Sequence, residues 1–144
     1  MRRILALCLL VSLVCAVSYA QDAVQDHEGW VSIRASMIIK PEHVASAQKA
    51  LSAIVADIRS KGVTPSHIEF QQREGPKRIP PNTSAEHRER LLNTAFWSFF
   101  IDERLSSTDA ATYYVIVAKG LAAAKRDGVI KDIRGLSMTI MQSH

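Results

Sequence analysis

Past residue 20 the chain has no cysteine. Its two cysteines, Cys8 and Cys15, both fall in an opening segment that carries the marks of an export signal. Arg2 and Arg3 give a charged start, Ile4 to Val17 an almost wholly apolar run, and Ser18-Tyr19-Ala20 small residues at the −3 and −1 positions of a cleavage site. The mature chain expected from Gln21 onward therefore forms no disulfide, offers no thiol nucleophile and holds no thiolate-bound metal. The apolar run is shorter than the roughly 20 residues a membrane-crossing helix needs. A secreted or periplasmic protein with no membrane span after cleavage is the expectation. Removing 20 of 144 residues leaves 124, enough for one domain around one core.

Catalytic signatures are missing as well. There is no Gly-x-Ser-x-Gly elbow, no phosphate-cradling glycine loop and no dinucleotide fingerprint. None of the five histidines (His27, His43, His67, His87 and His144) stands in a two-ligand spacing. Asp102 and Glu103 are adjacent, so in a strand they point to opposite sides and form no acid–base pair. No cofactor and no metal are expected, and no catalytic residue is named. Charge of one sign is scarce too. Loss of Arg2 and Arg3 lowers the 18 basic residues to 16 against 14 acidic ones, a net of +2. That is too mild to draw nucleic acid, and the glycine-flanked aromatic signature of RNA-binding sheets is absent.

What the chain does contain is one pattern written twice. Residues 30–72 and 94–142 each read as strand, helix, strand. A tryptophan opens each unit, Trp30 and Trp97, and each helix closes on a basic turn and a glycine, Lys61-Gly62 and Lys125-Arg126-Asp127-Gly128. The separations agree, 32 residues from Trp30 to Gly62 and 31 from Trp97 to Gly128. A doubled βαβ predicts an α+β, ferredoxin-like split β-α-β repeat (βαββαβ). That means a four-stranded antiparallel sheet with two helices on one face and an inserted loop or short helix between the repeats. The organisation expected is a signal at 1–20, a loose lead-in at 21–29 and a single domain at 30–144 with an insertion at 73–92.

Val31, Ile33, Ala35, Met37 and Ile39 alternate with polar residues, the period of a half-buried strand. A helix over about 41–61 follows from Pro41 at its start and a stripe of Val44, Ala47, Leu51, Ile54, Val55 and Ile58. His67 to Gln72 reads as a short strand. Three prolines and a glycine between Arg73 and Asn82 break regular structure. Thr83 with Glu86 resembles a capping box for a short helix at 84–92. A strand at 95–101 follows, then a helix begun by Thr108-Asp109 with a core stripe of Ala111, Tyr114, Val115, Ala118, Leu121 and Ala122. The last strand rests on Leu136, Met138 and Ile140.

Two surfaces stand out. Alternation sends Val31, Ile33, Ala35, Met37 and Ile39 inward with Trp97, Phe99 and Ile101. The opposite face then carries Arg34, Phe96, Ser98 and Phe100, with Ser32, Ser36, Ser137, Thr139 and Met141. Two phenylalanines beside an arginine suit a partner or a small anionic ligand, the arginine clamping a carboxylate or phosphate and the rings covering an apolar body. The alternative is that a second copy, or the 73–92 insertion, buries this face. On the second helix, Tyr113, Val117, Gly120 and Ala124 form a side expected to face water, hence an interface, or an apolar face that the insertion covers. The mixed charges of Arg73–Arg90 read as an ordinary solvated surface, with an acidic partner as the other reading.

These features favour an exported, non-enzymatic binding or accessory domain, of inhibitor, immunity or envelope type, acting on a protein partner or by self-association. The segment from Phe99 to Arg104, followed by Thr108 to Ala111, resembles the strand-to-helix passage of antibiotic-monooxygenase-like domains. That resemblance implies the alternative of a small-molecule-binding domain or cofactor-free enzyme of the dimeric α+β barrel type, and it assigns no site residue.

Overall fold

A computed structural model describes residues 28–141. The export signal at 1–20 with Cys8 and Cys15, most of the lead-in (21–27, including Asp26 and His27), and His144 lie outside the described residues. Strand β1 (Gly29–Ile38) is followed by a 3-10 turn at Pro41–His43 and helix α1 (Val44–Ser60). Then come β2 (Pro65–Gln72), α2 (Ala85–Asn93), β3 (Thr94–Leu105), α3 (Ser107–Arg126) and β4 (Asp132–Met141). The architecture is α+β: a four-stranded open sheet with three α-helices. The strand order is β2-β3-β1-β4, every pairing is antiparallel, and β1 and β3 lie in the centre.

The period-of-two argument holds along both central strands. Val31, Ile33, Ala35, Met37 and Ile39 are buried, as are Trp97, Phe99 and Ile101. They form one cluster with Ala47, Leu51, Ile54, Val55 and Ile58 of α1. Pro41 fits the first turn because its missing N–H would be unpaired there anyway. Both long helices end on a glycine in the left-handed region, Gly62 at φ +92° and Gly128 at φ +77°, so these two closing signals are equivalent.

The opening tryptophans are not equivalent. Trp97 is buried on the helix side, whereas Trp30 is partly exposed on the other face. Pairing places Trp30 opposite Arg104 and Val31 opposite Ile101, so a bulge at Asp102-Glu103 separates these two rungs. That pairing also carries β3 on to Leu105, past the polar residues at which the sequence pattern ends it.

The helix starts differ from the sequence reading by one or two residues. Ser84, not Thr83, caps α2, its hydroxyl accepting from the His87 N–H. Ser106, not Thr108, caps α3, accepting from the Asp109 N–H and donating to the Asp109 carboxylate. In both helices the serine stands three residues before the N–H it must satisfy, the geometry a capping side chain requires.

The larger correction concerns α3. Its buried side is Ala110, Tyr113, Val117, Leu121 and Ala124, while Ala111, Val115 and Ala122 are exposed. Tyr113, Val117 and Ala124 therefore belong to the core and present no outward interface. Burial pushes the Tyr113 hydroxyl up from its ordinary value, with Asp109 and Glu103 adding to the effect. Gly120 sits against α1, where a Cβ would lie 2.4 Å from Ile54 Cγ1. The small residues admit a neighbouring helix of the same chain.

Ion pairs tie the insertion to the sheet. Lys131 donates to Glu89 and Arg134 approaches Glu86 at 3.5 Å, while Lys125 donates to Asp132 at 2.8 Å. The hydrogen bond from Lys131 holds the Glu89 carboxyl below its usual value, and that from Lys125 does the same for Asp132. A carboxyl depressed in the folded state stabilises fully above its unfolded pKa, near 4, and loses that contribution as pH falls through its folded value. At low salt the melting temperature should accordingly drop between pH 5 and pH 3. The double change Glu89→Gln, Asp132→Asn should flatten that drop, by only a small amount because such surface pairs are well solvated. An unchanged slope in the double variant would assign the acid sensitivity to other groups.

Candidate functional site

The sheet face turned away from the core is not covered by the insertion. Cross-strand register sets its composition in rows. One row reads Gln71, Phe96, Ser36, Gly135; the next Glu69, Ser98, Arg34, Ser137; the third His67, Phe100, Ser32, Thr139. The structure thus brings together the four residues assigned to this face, Arg34, Phe96, Ser98 and Phe100. Phe96 is 42% exposed, and Trp30 and Met141 add further exposed apolar surface beyond the third row.

Bulk and its absence shape the face. Phe96 and Phe100 stand four residues apart on β3 with Ser98 between them, and Arg34 lies beside Ser98 on β1. The guanidinium carbon of Arg34 sits over the Phe100 ring at 5.7 Å from its centroid, a cation–π contact worth roughly 0.5–1 kcal/mol at such an exposed position. His67 meets the other flank of Phe100 at 5.9 Å between ring centroids. Arg34 is thereby drawn toward Phe100 and away from Phe96. Between them Ser36, Ser98, Gly135 and Ser137 add little bulk. The result is a groove of about 640 Å³ lined by these side chains, Glu69 and adjacent backbone, and by no residue of the 73–93 segment.

Gly135 matters because a Cβ there would come within 3.1 Å of Ser36 Oγ, at the point where β4 bulges against β1 between Ser36 and Met37. Arg34 makes no ion pair among the described residues. Glu69, two strands away in the same row, faces His67 at 3.8 Å. The Ser32 hydroxyl is buried on this face and has no hydrogen-bond partner among the described residues.

Sequence reasoning missed Trp30, Glu69, His67 and Gly135 as members of this surface. The alternation His67, Glu69, Gln71 was a usable signal, but only strand pairing shows which row each residue joins. Among the described residues no group of three or more His, Asp or Glu converges in a way that could hold a metal, and no helix is long and apolar enough to cross a membrane. No protein-family model, curated protein or solved structure matches the chain.

Proposed function

We propose that this chain is an exported binding domain, not an enzyme, which works through the uncovered face of its sheet. In this reading residues 1–20 are removed on passage to the periplasm or the exterior. The strands and long helices take the ferredoxin-like split β-α-β arrangement, for which the order β2-β3-β1-β4 in wholly antiparallel pairing is the support. One observation carries the functional reading: a groove lies between exposed Phe96 and an arginine that pairs with no carboxylate among the described residues, at the centre of a sheet face that no described segment covers. Burying such apolar surface rewards association, and an unpaired guanidinium adds direction to it.

Occupation of this face by a protein partner or a second copy is the broad form of the reading. A small-molecule site, as in the dimeric α+β barrel alternative, is favoured by the groove's dimensions, which fall in the range of ligand pockets.

The test is to recover the chain from its own exported compartment under native conditions, with and without Phe96→Ser or Phe100→Ser, and to weigh each by native mass spectrometry. Wild type should carry an added species, protein or small molecule, that both variants lose while keeping the wild-type circular dichroism spectrum. The same adduct on all three chains, or none on any, would remove the sheet face from the function.

A further inference from the structure

Resting on the sheet face as the working surface, we infer that its groove takes a small apolar anion with a single charged headgroup, a carboxylate or phosphate ester carried on an aromatic or branched hydrocarbon body. Four observations converge on that class.

The first is the position of Arg34. Among the described residues Lys125, Lys131 and Arg134 are held in ion pairs. Arg34 instead rises from a central strand, and its guanidinium lies over the Phe100 ring. Stacking on that ring restrains the guanidinium and leaves its N–H fork for two acceptor oxygens, the geometry of a carboxylate or phosphate.

The second is a supply of hydroxyls. Ser36, Ser98 and Ser137 line the groove with hydroxyls open to solvent. Ser32, 5% exposed, keeps its hydroxyl unpartnered in the row of Phe100. That hydroxyl lies outside the groove lining, one row beyond Arg34, so the donors open to a ligand are those of Ser36, Ser98 and Ser137.

The third is the apolar wall. Phe96, diagonal to Arg34 with Ser36 and Ser98 at the other two corners, leaves a ring surface on which a hydrocarbon body can lie. The fourth is Glu69. It stands two strands from Arg34 in one row, so at about 4.8 Å per strand the two backbones are roughly 10 Å apart, and Glu69 lines the groove on that side. A second anionic group at the far end of the ligand would meet that carboxylate. Polyanions are disfavoured, and a single charged end is favoured. The groove volume of about 640 Å³ has room for a molecule of that size.

The experiment is a ¹⁵N–¹H titration of the mature chain at constant ionic strength with benzoate, phenyl phosphate, neutral benzamide and cationic benzylamine. Benzoate or phenyl phosphate should saturably shift the amides of residues 32–36, 96–100 and 135–137, and the stronger of the two identifies the headgroup. Benzamide should bind at least about tenfold more weakly, and Arg34→Gln should cost the anions about the same factor with amides elsewhere unmoved. Ser137→Leu, which narrows the groove from an exposed position, should also reduce binding without altering the melt.

Equal binding of benzamide, shifts confined to other surfaces, or a dimer by sedimentation whose sheet face ignores all four probes would overturn the inference. If Phe96→Ser still loses its native adduct while the anions fail, only the ligand class falls. If Phe96→Ser changes nothing and the anions fail, the sheet-face reading falls with it.

Discussion

Val117→Asp should prevent the mature chain from folding. Val117 has no solvent exposure and lies in the cluster shared by α1, α3 and the sheet. The substitution removes an aliphatic side chain and leaves a carboxylate in its place with no cation in the cluster to receive it. Burying an unpaired charge is among the few single changes expected to cost more than about 4 kcal/mol, against a total stability of about 5–15 kcal/mol for an ordinary domain. The expected result is loss of the cooperative thermal transition by circular dichroism and loss of soluble protein. Val117→Thr, which keeps the volume and adds only a hydroxyl, should fold with a lowered midpoint. Had this stripe been an outward interface, Val117→Asp would leave the melt intact and abolish self-association. A cooperative melt within a few degrees of wild type would return α3 to that reading.

The two long helices show what periodicity can and cannot settle. On α1 a single stripe is apolar and its opposite side carries Gln48, Lys49, Ser52, Asp57 and Arg59, so its phase is unambiguous. On α3 the run Ala110 to Ala124 is apolar nearly all round, and two stripes compete. The winning one keeps strict steps of three and four through Ala110, Tyr113, Val117, Leu121 and Ala124. Contact with α1 decides between them, because Gly120 lets Ile54 approach where any larger residue would collide. That choice is tertiary, and no local propensity encodes it.

The sheet face was legible to a similar depth. Alternation alone puts Arg34, Phe96, Ser98 and Phe100 on one side, since a strand's side chains must change face at each step. What alternation lacks is register. Gly135 becomes a groove-shaping residue only because β4 bulges beside Ser36, and Glu69 becomes its acidic end only because β2 pairs with β3 at Ser98. The misreading of Trp30 as the counterpart of Trp97 has the same origin. Each stands near the start of its strand–helix–strand unit, but the bulge at Asp102-Glu103 and the pairing with Arg104 leave Trp30 on the open face.

The sharpest test of this two-sided sheet is a pair of neighbours. Trp97 is 1% exposed, stacks at a tilt on Phe99 with ring centroids 5.0 Å apart, and lies opposite Ala35 on one side and Phe70 on the other. Trp97→Ala empties the middle of the core and should cost about 3–5 kcal/mol. For a chain of this size that lowers the melting temperature by roughly 10–20 °C. Phe96, one residue earlier, points the other way and is 42% exposed. Phe96→Ala removes little buried surface and should cost less than about 1 kcal/mol, while weakening whatever the groove holds. Denaturant unfolding of the two variants side by side reads the difference directly. Similar losses in both would mean that the open face is packed against something in solution, whereas a large loss in Phe96→Ala alone would reverse the assignment of inside and outside along β3.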